Sequence, residues 1–128
     1  MNLKIIFKRL ILLDLLLFIL LVVAAFYPST EVENFNKYFE SEFSNSFLII
    51  IGVLQLIYLI NLFLLYKFKS IGKKIYLIVF IVLMVLSLLV PPHATDSWLY
   101  VLEGLGLAIS GAILVFLYFT PIKKEFDK

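Results

Sequence analysis

Two carboxylates and a handful of hydrogen-bonding side chains lie in stretches that are otherwise Leu, Ile, Val and Phe, and they are the residues that could do chemistry. Asp14 stands in the run Leu10 to Tyr27, and Glu103 in the run Trp98 to Thr120. Gln55, Tyr58 and Asn61 follow one another at spacings of three in the run Ser46 to Tyr66, and Ser87 and Ser110 complete the set. In hydrocarbon an ionisable side chain costs at least about 2.5 kcal/mol near the centre of the span, so each acid needs a partner or a function.

Asp14 lies five residues past Arg9, roughly 7 Å along a helix. The structural expectation pairs it with a basic residue at the interface or with Asn61, which lies at similar depth six residues before Lys67. The functional alternative makes it a carboxylate for protons or cations. Gln55, Tyr58 and Asn61 are expected to hydrogen-bond neighbouring helices and so fix which face of their helix turns inward.

Glu103 shares a helix face with Gly106 and Ser110 and lies a turn and a half from a helix start, where the macrodipole favours negative charge. Ser87, Tyr100 and His93 are its candidate partners, and protons, cations or a ligand amine its candidate cargo. Asp14 and Glu103 fall in opposite leaflets, too far apart for a directly coupled dyad. On the other side of the same helix Gly104, Ala108, Gly111 and Ala112 form a small-residue face that lets a second helix approach closely. That face makes the fourth span the expected packing hub, with a partner subunit or a second copy as its expected neighbour.

These residues must be positioned by apolar helices. The chain has 128 residues, 63% of them hydrophobic and only 16% charged, with a mean hydropathy of +1.09. A soluble domain is nearer half apolar, so the surplus must face lipid. Crossing about 30 Å of hydrocarbon takes roughly 20 apolar residues. Four stretches qualify: about 10–27, 46–66, 75–90 and 98–120, bounded by Pro28, the lysines from Lys67 to Lys74, Pro91 and Pro92, and Pro121. The expected fold is a single all-α domain, an integral membrane four-helix bundle. The basic Lys4–Arg9 start could open a secretory signal peptide, but the apolar run is longer than such a peptide needs and carries Asp14, so a retained helix is expected.

Basic residues stay on the cytoplasmic side. Of the 11 Lys and Arg residues, only Lys37 lies outside the set formed by the N-terminus, the 67–74 connection and the tail. Both termini are therefore expected in the cytoplasm and the acidic 28–45 loop outside. Within that loop Thr30 and Glu33 have capping-box spacing, and Val32, Phe35, Phe39 and Phe43 recur as one apolar stripe. They predict a short amphipathic helix over about 31–43, lying on the outer surface or capping the bundle, with a partner-binding site at Phe35, Phe39 and Phe43 as the functional alternative, while Asp96 or Thr95 is the expected cap of the fourth span. The tail from Pro121 to Phe126 is expected as an interfacial stop.

Several classes are excluded. The chain has no cysteine and one histidine, which removes disulfides, thiol redox chemistry and thiolate metal sites. A net charge of +2 gives no basis for nucleic-acid binding. No phosphate loop, metal-ligand cluster or nucleophile–base pair is present, so neither a cofactor nor an enzymatic reaction is expected. The layout with an acid in the first span is similar in topology to the small multidrug transporters, although here the first span is Leu-rich and the first loop long. The leading expectation is a non-enzymatic membrane subunit (accessory, assembly, sensory or immunity-type) in a bacterial cytoplasmic membrane. The alternative is a small oligomeric transporter or channel for protons, cations or small amines.

The orientation is testable because single cysteines can be placed in a cysteine-free chain. Ser70→Cys should react with membrane-impermeant maleimide only from the cytoplasmic side and Asn36→Cys only from the outside. Labelling of position 36 from the cytoplasm alone would reverse the topology.

Overall fold

The structure, a computed structural model, describes residues 2–39, 44–90 and 93–127. Among them are five α-helices and one 3-10 helix, and no strand. Helix α1 spans Leu3–Ala25, α2 Thr30–Tyr38, α3 Asn45–Tyr66, α4 Ser70–Ser87 and α5 Ser97–Phe119, and the 3-10 helix covers Pro121–Glu125. Helices α3, α4 and α5 are each long and apolar enough to cross a membrane, and α1 followed by α2 at a 68° bend supplies a fourth candidate span. Phe43, Pro91 and Pro92 lie outside the described residues, as do Glu40, Ser41 and Glu42 of the acidic loop.

The boundaries depart from the expected ones where local capping decides. Helix α1 starts at Leu3 because the Asn2 side chain accepts from the Lys4 amide. Helix α4 starts at Ser70, ahead of the expected 75, because a tight turn reverses the chain at 67–69. There the Lys69 amide bonds the Leu64 carbonyl and the Phe68 amide the Leu65 carbonyl, both at 2.9 Å, the double bond pattern of a Schellman ending. The left-handed position of that motif is usually glycine, yet here it is Phe68 at φ 54°. A bulky side chain there costs roughly 1–2 kcal/mol. Its ring is held in place by packing against Phe7 and Phe126, with centroids 5.8 and 5.3 Å away.

The core is concentrated at the end of the bundle that carries both termini. Phe7, Ile11, Leu62, Leu65, Tyr76, Ile113, Leu117, Ile122 and Phe126 form one buried cluster there. Helix α1 packs mainly on α5 and also on α3, α3 packs on α4, and the 3-10 helix folds back against α5. At the opposite, loop-bearing end the first half of α3, the last turns of α4 and the first half of α5 contain no buried residue. The bundle is a wedge, closed at the terminal end and parted at the loop end. Along the long helices Leu12, Leu16, Ile19, Ile49, Ile60, Ile78, Val101 and Val115 face outward, far more apolar surface than a water-facing monomer carries.

Three expectations are corrected. The tail is no interfacial stop, since Ile122 and Phe126 are buried in the terminal-end core and Phe126 meets Phe7 edge-on at 5.7 Å. Ion pairs Lys4–Glu125 at 2.8 Å and Lys73–Asp127 at 3.8 Å join it to the helices, but partly exposed pairs add less than about 1 kcal/mol each, so the aromatic burial dominates. Helix α2 is capped by Ser29, whose hydroxyl accepts from the Val32 amide at 3.4 Å. Thr30 is already inside the helix, which leaves Glu33 one position too far along to complete a capping box. Glu33 pairs instead with Lys37 at 2.6 Å, and that ammonium holds its carboxyl below the ordinary range. Asp96 is at the α5 N-cap but makes no capping bond to α5; its Oδ2 accepts from the Ser29 amide at 3.0 Å. With the Asn36 carboxamide, which bonds both the amide and the carbonyl of Ala94, it ties α2 to the 93–96 connection. Phe35 and Phe39 stay exposed and stack on each other at 4.6 Å.

Close helix approach occurs at Gly72, away from the predicted small-residue face. A Cβ added there would lie 3.0 Å from Leu64 Cβ and 3.2 Å from the Leu65 amide nitrogen, whereas one added at Gly52 would meet nothing within 4 Å. Gly72→Ala should therefore destabilise by about 1 kcal/mol, overpacking outweighing the gain in helix propensity. Gly52→Ala should be neutral or stabilising. Thermal unfolding in detergent would order the pair, and an equal response from both would refute the close approach.

Candidate functional site

Each long helix contributes one polar side chain to a single cluster. On α1 the residues turned inward are Phe7, Ile11, Asp14, Leu17 and Ala24, a stripe at helical spacing in which Asp14 is the one polar member. The residue is 3% exposed. From α3 the Tyr58 hydroxyl donates a close hydrogen bond to Asp14 Oδ2. From α4 the Tyr76 hydroxyl reaches the same oxygen at 3.4 Å, and from α5 the Ser110 hydroxyl reaches Oδ1 at 3.4 Å. Tyr58 and Ser110 also stand 3.4 Å apart. One bond is closed and the others lie at the outer edge of hydrogen-bonding distance.

The expected pairing of Asp14 with Asn61 or a basic residue is not formed. Asn61 is fully buried, and neither end of its carboxamide has a hydrogen-bond partner among the described residues. Three residues beyond Tyr58, it has rotated by most of a turn toward α4, where a Cβ on Gly72 would lie 3.3 Å from its Oδ1. The polar ribbon on α3 therefore splits: Tyr58 joins the cluster, Gln55 lines the space above it, and Asn61 enters the α3–α4 contact.

Tyr76 is the member that sequence reasoning missed. A third span beginning near 75 places it in the headgroup belt, where tyrosine needs no explanation. With α4 beginning at Ser70, Tyr76 lies more than a turn inside and is fully buried. Its spacing of four from Gly72, the close-contact residue, is the signal that could have marked its face as inward.

Above the cluster the parted helices enclose a cleft of about 420 Å³. Asp14, Tyr58 and Ser110 form its base, Leu17, Phe18, Leu83 and Leu107 its apolar sides, and Gln55 and Glu103 further polar points. Among the described residues, no lysine, arginine or histidine lines it. Glu103 also lines a second hollow at the loop-bearing end, beside Ser87 and His93, so the two spaces meet at this residue. Glu103 is exposed, at the mouth of the cleft rather than inside the bundle. Of its expected partners, Ser87 bonds its own helix through the Met84 carbonyl at 2.7 Å, while Tyr100 is exposed. Although Asp14 and Glu103 are not in contact, they border one space, which the assignment to separate leaflets did not anticipate.

The small-residue face of α5 has no close neighbour among the described residues of this chain. A Cβ at Gly104 or Gly111 would meet nothing within 4 Å, and Ala108 is exposed and Ala112 half-buried. The packing side of α5 is the one with Gly106, near Leu21, and the buried Ile113 and Leu117. Large apolar residues at the terminal end therefore decide the α1–α5 contact within this chain, and Gly104, Ala108, Gly111 and Ala112 lie on the other side of α5. No group of three or more His, Cys, Asp or Glu side chains that could hold a metal ion occurs among the described residues.

Comparisons with protein-family models, with curated proteins and with solved structures give no match.

The close Tyr58 bond should matter most to the cluster. Tyr58→Phe removes a donor from a buried carboxyl group and should cost about 1–3 kcal/mol, while Ser110→Ala, losing a long contact, should cost well under 1 kcal/mol. Chemical or thermal unfolding in detergent micelles gives the ranking. Equal losses would mean that the cluster does not centre on Tyr58.

Proposed function

We propose that this chain is a four-span integral membrane protein of the cytoplasmic membrane that binds a small organic cation at Asp14, non-enzymatically, from the outer side. On this reading the termini and the 67–74 connection are cytoplasmic, and α2 lies on the outer surface with Phe35 and Phe39 toward lipid. The distribution of basic residues supports the orientation, and the outward-facing Leu, Ile and Val of the long helices support burial in lipid.

The observation that carries the binding role is the buried Asp14 carboxyl group at the base of a cleft with no basic side chain in its lining. A carboxylate removed from water is stabilised by a cation with which it can hydrogen-bond, and the described residues provide none within the cleft. An ammonium group fits that requirement. The apolar walls suit an alkyl body, and Tyr58 and Phe18, whose rings are 5.7 Å apart, add aromatic surface for a cation. The cleft widens toward the loop-bearing end, while the terminal end is filled by Phe7, Tyr76, Leu117 and Phe126. Such a shape favours binding from one side over free conduction.

A second reading, an accessory subunit or homo-oligomer assembled through α5, is supported by the unoccupied Gly104 and Gly111 side of that helix. Bulky side chains there would block a close helix contact. Gly104→Leu and Gly111→Leu should then shift the oligomeric state in nanodiscs, and a monomeric parent protein would remove this reading.

The cation-binding reading is tested by calorimetry on the full chain in lipid nanodiscs with n-butylammonium as probe. Saturable binding is expected, weakened about tenfold by Tyr58→Phe and abolished by Asp14→Asn, with circular dichroism confirming that the variants remain helical. Binding by Asp14→Asn equal to that of the parent would sink the proposal.

A further inference from the structure

The cleft has two carboxylates, and the cation-binding reading uses only one. From the arrangement of the second we infer that the ligand is a linear diamine, bound with one ammonium at Asp14 and the other at Glu103. This inference rests on the proposed role of Asp14 and extends it to the class of ligand.

Both acids line the same cleft at different heights. Ser110, which reaches Asp14 Oδ1, marks the level of the lower acid on α5. Glu103 is seven residues nearer the loop-bearing end of that helix, about 10 Å higher at helical rise. Gly106 lies between them with Leu21 of α1 beside it: a Cβ at that glycine would be 3.7 Å from Leu21 Cδ1. The small residue keeps the wall thin on the line joining the two acids.

Between the carboxylates the lining is apolar apart from the uncharged Gln55, with Leu17, Phe18, Leu21, Leu83 and Leu107 around it. A ligand charged along its whole length would lose hydration there without compensation. One charged at its ends and saturated in the middle matches the pattern. Two ammonium–carboxylate contacts of about 2.8 Å each, set against the roughly 10 Å rise, leave about 5–7 Å between the nitrogens once the flexible glutamate stem is allowed for. A chain of about three to five methylene groups spans that distance. With no basic residue among the described residues of the lining, each carboxylate can take up an ammonium without displacing an ion pair of the cleft.

Glu103 is suited to being the second contact by its position at the mouth. Exposed and shared with the outer hollow beside Ser87 and His93, it meets an entering cation first. The buried Asp14 meets it last.

Calorimetry in nanodiscs with butane-1,4-diamine and n-butylamine tests the inference. The diamine should bind at least tenfold more tightly than the monoamine, and Glu103→Gln should bring that ratio close to one. Across the straight-chain diamines, affinity should peak near four carbons and fall at eight. Equal affinity of diamine and monoamine for the parent, or a preference that survives Glu103→Gln, overturns the diamine assignment while leaving the Asp14 reading intact. Failure of both amines to bind overturns both, and tighter binding of long monoamines such as n-decylamine than of any diamine identifies a single-charge amphiphile instead.

Discussion

A carboxyl group withdrawn from water between apolar helices must find its hydrogen-bond partners on other helices, and that requirement organises this bundle. Asp14 receives hydroxyls from α3, α4 and α5 through Tyr58, Tyr76 and Ser110. Leu, Ile and Val contacts fix few rotations, because any face of a Leu-rich helix packs about as well as another. A polar group at one depth on each helix is directional, and it selects which face of each turns inward. The rotations seen in α1 and α3 are those that direct Asp14 and Tyr58 to a common point.

The wedge shape follows from where large side chains can fill space. At the terminal end aromatic residues from α1, the 67–69 turn and the tail interlock, with Phe7, Phe68 and Phe126 mutually in contact. At the other end α3, α4 and α5 have no buried residues, and the connections at that end are joined by Asn36, Ala94, Ser29 and Asp96 rather than by a core. A bundle closed by rings at one end and held at the other by its loops and the α1–α5 contact near Leu21 and Gly106 leaves a cleft between them. The Asp14 cluster lies where packing gives way to open space, so it is both a structural knot and the base of the proposed binding site.

One polar group is not accounted for by hydrogen bonding. Asn61 is buried beside Gly72 without a partner for its carboxamide among the described residues. An unpaired amide of this kind costs roughly 1–3 kcal/mol, and it lies in the close α3–α4 approach that the glycine permits.

The amino-acid order by itself determined the number and rough extent of the apolar helices, the short helix after Pro28 and the asymmetry of basic charge, because hydropathy and capping are properties of neighbours in the chain. It also marked Asp14, Glu103, Tyr58 and Ser110 as residues needing partners, since cost in an apolar stretch can be read without knowing the fold. It did not reveal that Asp14 meets hydroxyls rather than Asn61, that Tyr76 completes the cluster, or that the close approach between helices of this chain falls at Gly72 rather than at Gly104 and Gly111. Helix rotation decides these points, and in helices apolar on every face no periodicity records it. The burial of Ile122 and Phe126 was equally hidden, because an apolar residue beside lysines has the same local pattern whether it enters lipid or turns back into protein. Only the tertiary packing of Phe126 against Phe7 and Phe68 distinguishes the two.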